Sequence, residues 1–256
     1  MIKREDWESC EQRIVVNARR LLELLAAHGT RATFFVLGWV AEVAPDLVAD
    51  IEAQGHEIAT HGYSHRLLTE MTPEAFETDL ALALAVTRRC VKSKIWGFRA
   101  PSFSVTRKTM WAVEILARYG IRYDSSIFPI GFHPDYGMSE AELGVLTLGD
   151  GVLEFPMTVA EVGGLRLPVG GGFYFRFYPY AVTRWLMRRV NAAGRPAVCY
   201  LHPWEIDPHQ PRVAIPWGKR FRHYYNVPRT YDKLTKLLKD FQFTTIRDIL
   251  WPADRT

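Results

Sequence analysis

The sequence is poor in cysteine, in long apolar runs and in repetition. Its three cysteines, Cys10, Cys90 and Cys199, stand at wide and unrelated spacings, which suggests neither a disulfide framework nor a zinc knuckle, so all three are read as thiols. No stretch approaches the roughly 18 apolar residues of a membrane span. The opening MIKREDWESCEQR is too charged for the apolar part of a signal peptide. The default expectation is therefore cytoplasmic residence with no membrane span, although a chain whose beginning lay upstream would lack its targeting signal as well. There is no convincing repeat, low-complexity tract or dividing linker, which points to a single domain over residues 1–256. A formal charge of +4 and a pI near 9.0 come from scattered basic residues, apart from Arg pairs and the run Lys219 to Arg222. No finger, helix-turn-helix or RNA-binding signature accompanies them, so nucleic acid is not an expected partner.

What is present suits a folded chain, since 48% of the residues are hydrophobic and 23% charged. Ile14, Ala18, Leu21, Leu22 and Leu25 recur at helical spacing between Glu11 and His28, with Gly29 placed to end the helix. Arg31 to Leu37 then reads as a strand covered on both faces. A helix from Val40 to Gln54 and a strand from His56 to Thr60 follow. Thr72 and Pro73 open a helix reaching about Cys90. Strands at Ile95–Phe98, Ile121–Tyr123, Val152–Phe155 and Ala197–Leu201 alternate with helices at Thr106–Tyr119 and Tyr180–Ala193. A last helix runs near Tyr231 to Phe241, before a short apolar segment from Phe243 to Ile249. Alternating strands and helices imply an α/β fold with a mostly parallel sheet, open or closed, and periodicity does not choose between the two. Phe128 to Gly151 and Pro203 to Pro228 are the long irregular stretches, candidates for substrate loops.

Polar residues gather where these strands run out: His61 and His65, Arg99, Asp124 and His202. In a β/α barrel such ends share one face. Two imidazoles four residues apart in HGYSH can reach one metal ion, against the alternative of ordinary loop histidines. A zinc site for catalysis usually has three protein ligands, and Asp124 could supply the third by charge. His202 is a candidate general acid, or a core histidine satisfied by a carbonyl. Glu205 and Asp207 close by could orient a neighbour or face solvent. Arg99 cannot act as a base but can hold a carboxylate through two hydrogen bonds, or form a surface ion pair. Tyr63, Phe103, Phe173, Tyr174, Trp204 and Trp217 lie in or beside the loops, where aromatic faces could stack on sugar rings, although most aromatics are core. The glycines of GGGFYF, Gly170 to Gly172, lack the lysine and context of a phosphate loop and read as a tight or mobile turn.

These residues resemble the polysaccharide deacetylases of carbohydrate esterase family four, with the nodulation-protein homology domain. THGYSH is similar to that family's two-histidine metal motif, RAPSF to its arginine motif, YDSSIF to its aspartate motif and YLH to its closing leucine-histidine motif, in the same order. GGGFYF and HPWEIDPHQPR look similar to the exosortase-associated branch that acts on exopolysaccharide. The resemblance implies a distorted (β/α)7-type barrel, with residues 203–256 as a C-terminal extension packed on it. It implies a divalent metal, usually zinc, and hydrolysis of N-acetyl groups on an amino-sugar polymer. Carried over by position, His61 and His65 would bind the metal, Arg99 would orient the catalytic base, and Asp124 would tune His202, which would protonate the departing amine. Tyr63, Phe103 and Trp204 are the candidate substrate contacts.

Two departures stand out. Family members open with a strand that ends in two acidic residues, one acting as base and one as metal ligand, so the barrel is expected here without its first strand. Glu5 and Asp6 are acidic but lack that strand and are not assigned those roles. Phe128 also stands where the family often has tryptophan. The competing reading is a catalytically silent barrel that binds glycan. A glycoside hydrolase using Glu154, Glu161 or Glu205 is a third, and it leaves the histidines unexplained.

Overall fold

A computed structural model describes residues 7, 11–131, 137–213 and 215–252. Glu5, Asp6 and Cys10 lie outside them. In chain order the elements are α1 (Ile14–Ala27), β1 (Thr33–Val36), α2 (Gly38–Val43), α3 (Pro45–Ala53), β2 (Glu57–Thr60), α4 (Pro73–Thr87), β3 (Gly97–Phe98), α5 (Trp111–Arg118), β4 (Tyr123–Asp124), β5 (Leu146–Thr147), β6 (Leu153–Glu154), β7 (Val159–Val162), β8 (Leu165–Pro168), α6 (Gly172–Phe177), α7 (Tyr180–Ala192), α8 (Trp217–Tyr224), α9 (Thr230–Asp240) and α10 (Ile246–Leu250). They form two compact units, residues 31–159 with 243–256, and residues 1–30 with 160–242.

The first unit carries a six-stranded sheet in the order β1-β2-β3-β4-β6-β5. All neighbours pair parallel except β5, which runs antiparallel to β6 at the edge. The expected α/β alternation and parallel sheet are both present. Among the described residues, strand pairing leaves the sheet open rather than closed into a ring. Phe76, Leu80 and Leu84 of α4 pack with Phe98 of β3, Leu116 of α5 and Ile127 in one buried cluster. Several predicted boundaries hold. Thr72 caps α4 by accepting from the Ala75 N–H at 3.3 Å, and Gly55 and Gly120 end their helices with φ of +81° and +78°.

The helix predicted over Val40–Gln54 is two helices. Ala44 adopts φ −139° and ψ 58°, because the ring of Pro45 disfavours α geometry in the residue before it. The chain's last segment returns to this sheet. The Ile246 N–H donates to Thr33 Oγ, and buried Glu57 accepts from Thr33 Oγ, Tyr123 Oη and the Arg247 N–H.

The second unit is mainly helical, with a β7–β8 hairpin across Gly163-Gly164 that hydrophobic pattern had not suggested. The strand expected at Ala197–Leu201 is a single parallel bridge between Tyr200 and Gly171. Pro196 and Pro203 bracket that segment and have no N–H to extend a ladder. α6 and α8 occupy stretches read from sequence as loops. Leu186, Met187 and Val190 of α7 and Leu234 and Leu237 of α9 are buried here.

Candidate active site

Parallel register sets the geometry of the first unit. Val36 pairs with Thr60, Thr60 with Phe98, Phe98 with Asp124 and Asp124 with Glu154, so these residues form one row across the carboxyl ends of five strands. The next row begins with His61 and Arg99, whose N–H groups donate to the Val36 and Thr60 carbonyls. Ligands of open α/β sheets bind beyond this edge because the strands end together there.

His61 and His65 sit with ring centroids 5.2 Å apart and planes inclined by 70°. His61 Nδ1 lies 2.7 Å from the Arg99 carbonyl oxygen. A carbonyl only accepts, so Nδ1 carries the proton and the basic lone pair is on Nε2, the tautomer a metal-binding imidazole needs. The loop between the two histidines is clamped from α4: Asp79 accepts from the Tyr63 N–H at 2.7 Å, the Ser64 N–H at 3.1 Å and Ser64 Oγ. His65 holds a left-handed backbone, φ +56°. Ser102 and Phe103 in the RAPSF segment do likewise, at +51° and +55°. Non-glycine residues in this region store strain, which collects at functional sites.

The buried Arg99 guanidinium donates to the Ser125 carbonyl at 2.8 Å and to Ser125 Oγ at 2.7 Å, and stands 4.1 Å over the Phe35 ring. Ser126 takes the Ala100 N–H at 2.7 Å and donates to Asp124. The arginine and aspartate motifs are thus tied together by two serines that sequence reasoning passed over, although both stand in the YDSSIF motif.

Glu154, weighed from sequence only as a glycosidase carboxylate, is the neighbour of Asp124. Both are fully buried. Loss of hydration pushes Asp124 up to about 6, while Ser126, Glu154, the Ser125 N–H and the Arg99 charge pull the other way. Glu154 is pushed well above the usual carboxylate range by burial and then by the charge of Asp124; its Oε1 accepts from the Ile127 N–H at 2.8 Å. Two carboxyls so close and so buried favour holding one proton between them.

Tyr63 and Phe103, expected as substrate contacts, are buried, and the Tyr63 hydroxyl donates to Glu42. Asp124 hydrogen-bonds inward to Ser126. Among the described residues no group of three or more His, Cys, Asp or Glu side chains is placed to hold a metal ion.

His202 belongs to the second unit, and its side chain is 49% exposed. Its Nδ1 lies 3.2 Å from Glu205 Oε1, and its ring stacks on half-exposed Trp204 at 5.8 Å. Glu205 is buried beside the equally buried Arg176 guanidinium, at 3.8 Å. Of the two acids left open by sequence, Glu205 orients the histidine. Asp207 instead takes Arg13 through two hydrogen bonds, of 2.5 and 3.0 Å, and Asn17 at 3.0 Å.

Comparison with known sequences bears on this arrangement of strand-end histidines and a buried arginine–carboxyl network. Residues 11–123 match the polysaccharide deacetylase family, and residues 125–251 match a domain of unknown function (DUF3473). The likeness to the polysaccharide deacetylase family is carried by the first of these segments. Curated relatives include a chitooligosaccharide deacetylase of Rhizobium leguminosarum bv. trifolii, 33% identical over 39% of this chain and 43% of its own length. A peptidoglycan deacetylase of Helicobacter pylori is 30% identical over 47% of this chain and 40% of its own length. A peptidoglycan deacetylase-like protein of Gibberella zeae is 31% identical over 44% and 33%. The chain thus spans between 33% and 43% of the length of these relatives.

Among solved structures, a protein of Mycobacterium smegmatis described provisionally as a polysaccharide deacetylase shares the fold with a TM-score of 0.59 at 22% identity, covering 92% of this chain and 76% of that one. A family-four pseudoenzyme of Bacillus anthracis gives 0.55 at 14% identity, covering 94% and 62%.

Proposed function

We propose that the chain removes N-acetyl groups from an amino-sugar polysaccharide by hydrolysis, with an exopolysaccharide as the substrate and a divalent cation, zinc first, held by His61 and His65. The single observation that carries this reading is the His61 arrangement: a strand-end imidazole whose Nδ1 is tied to the Arg99 carbonyl and whose ring meets that of His65. The fixed tautomer and the clamped loop fit a borderline-soft divalent ion. Relatives named for chitooligosaccharide and peptidoglycan deacetylation support the choice of bond.

A cation held by His61 and His65 would supply polarisation of the acetyl carbonyl and a lower pKa for the attacking water. The residues of the chain then have separate tasks. Arg99 is immobilised by Ser125, and its charge acts on the buried Asp124 and Glu154 carboxyls. The Asp124–Glu154 pair, one proton and one charge between two carboxyls, offsets the buried guanidinium without adding a second anion. For His202, oriented by Glu205, the assigned task is to give a proton to the departing amine, while the Trp204 ring is taken by His223, stacked on it at 4.1 Å.

The test is acetate release from N-acetylglucosamine hexamers, peptidoglycan and acetylated exopolysaccharide, with and without zinc and after chelation. Release that requires zinc, and that disappears in the His61→Ala/His65→Ala variant, is the expected result. Zinc binding with no acetate from any of the three polymers would favour the silent glycan-binding reading instead.

A further inference from the structure

The segment from Pro208 to Tyr231 contains Arg212, Lys219, Arg220, Arg222 and Arg229 and not one aspartate or glutamate. The rest of the chain has 27 basic and 28 acidic residues, so this stretch accounts for the whole net excess of +4. It folds around α8, where Arg212, Trp217, Arg220, Phe221, Tyr224 and Tyr225 line a cavity of about 460 Å³. Trp217 is 81% exposed and Phe221 41%, and their rings lie nearly parallel, 20° apart at 6.2 Å. The Arg212 guanidinium stands 4.6 Å over Tyr224, whose hydroxyl receives the Val213 N–H at 3.0 Å. Among the described residues, no carboxylate pairs with Arg212, Lys219 or Arg220.

Two features of this cavity select its ligand. Wide, exposed aromatic faces favour a flat partner with an apolar side, as the C–H face of a pyranose ring has. Arginines without a carboxylate partner favour an anion that accepts two hydrogen bonds in a plane, a carboxylate above all. We propose that this cavity, which shares no lining residue with those assigned to deacetylation, is a binding site for an anionic glycan, one or two uronic-acid residues long. The concavity and volume suit small ligands, whose pockets run to a few hundred Å³. A lipid surface is flat and engages longer amphipathic helices than the eight residues of α8. Single-stranded nucleic acid needs a groove tracking about four or more nucleotides.

The experiment is affinity electrophoresis of the whole chain through gels containing polygalacturonate, with dextran as a neutral polymer and polyglutamate as an anion without sugar rings. Retardation by polygalacturonate alone is expected. Trp217→Ala and Arg220→Ala should each weaken it roughly tenfold, the effect of losing one stacked ring or one charge-assisted pair. Both residues are exposed, and a thermal melt of each variant checks the fold. The His61→Ala/His65→Ala variant should bind polygalacturonate as the parent does, which separates failure of this site from failure of the deacetylase reading. No retardation, equal retardation by polyglutamate, unchanged binding in both variants, or equal affinity for poly(U) or phosphatidylglycerol vesicles would overturn the assignment.

Discussion

Asp124 and Glu154 occupy one register position on adjacent parallel strands, and both side chains are fully buried. Folding raises the proton affinity of both, Asp124 to about 6 and Glu154 well above its usual range. Between pH 4 and 6 the folded chain therefore holds protons that the unfolded chain has released, and stability falls as pH rises through that window and beyond it on account of Glu154. Glu154→Gln, which mimics the protonated form, should flatten this slope and raise the urea midpoint at pH 8 relative to the parent. An unchanged slope in the variant would show that the pair does not share a proton.

Ser126 joins two motifs by one hydroxyl. Its removal in Ser126→Ala leaves the buried Ala100 N–H and one Asp124 oxygen without their partner. An unsatisfied buried group costs about 1–3 kcal/mol, so urea unfolding should register a loss of that order.

Zinc titration by calorimetry checks the two imidazoles directly. His61→Ala with His65→Ala should weaken binding by at least about a hundredfold, because ligands outweigh the 10–100-fold effects of their outer partners. Equal affinities in parent and variant would place any ion elsewhere.

Glu205 positions His202 rather than touching substrate. Glu205→Gln should lower kcat for acetate release by about tenfold or more with KM little changed, since the ring loses its charged partner but not its place. Glu205→Asp should restore part of the rate. A matching fall in both parameters, together with a lowered melting point, would mark Glu205 as a partner of buried Arg176 and nothing more.

Gly97 lies against Tyr123 so closely that a Cβ would stand 2.1 Å from the ring. Gly97→Ala must displace the ring from its hydrogen bond to Glu57, and overpacking of this kind costs about 1–3 kcal/mol. Denaturant unfolding gives the value.

Much of the first unit could be read along the chain. RATFFVL and HEIAT declared buried parallel strands because neighbouring strands and helices cover both faces, and Thr72-Pro73 declared a helix start because each residue has one local task there. Motif spacing also carried His61, His65, Arg99 and Asp124 to the strand ends, since a strand's last residue is fixed by local pattern. The break before Pro45 was in principle legible. The short bridge at Tyr200 was not, because its length depends on which neighbour arrives beside it.

By itself the sequence determined the alternation of strand and helix, the strand-end polar residues and the acid-free basic stretch around α8, all properties of residues near one another in the chain. Only the tertiary structure decided that Glu154 faces Asp124, that Ser126 links Ala100 to Asp124 and that an Arg99 carbonyl sets the His61 tautomer. Those pairings join residues between 2 and 38 positions apart through strand register and burial. Register between strands so far apart in the chain is settled when their apolar faces are buried together on folding.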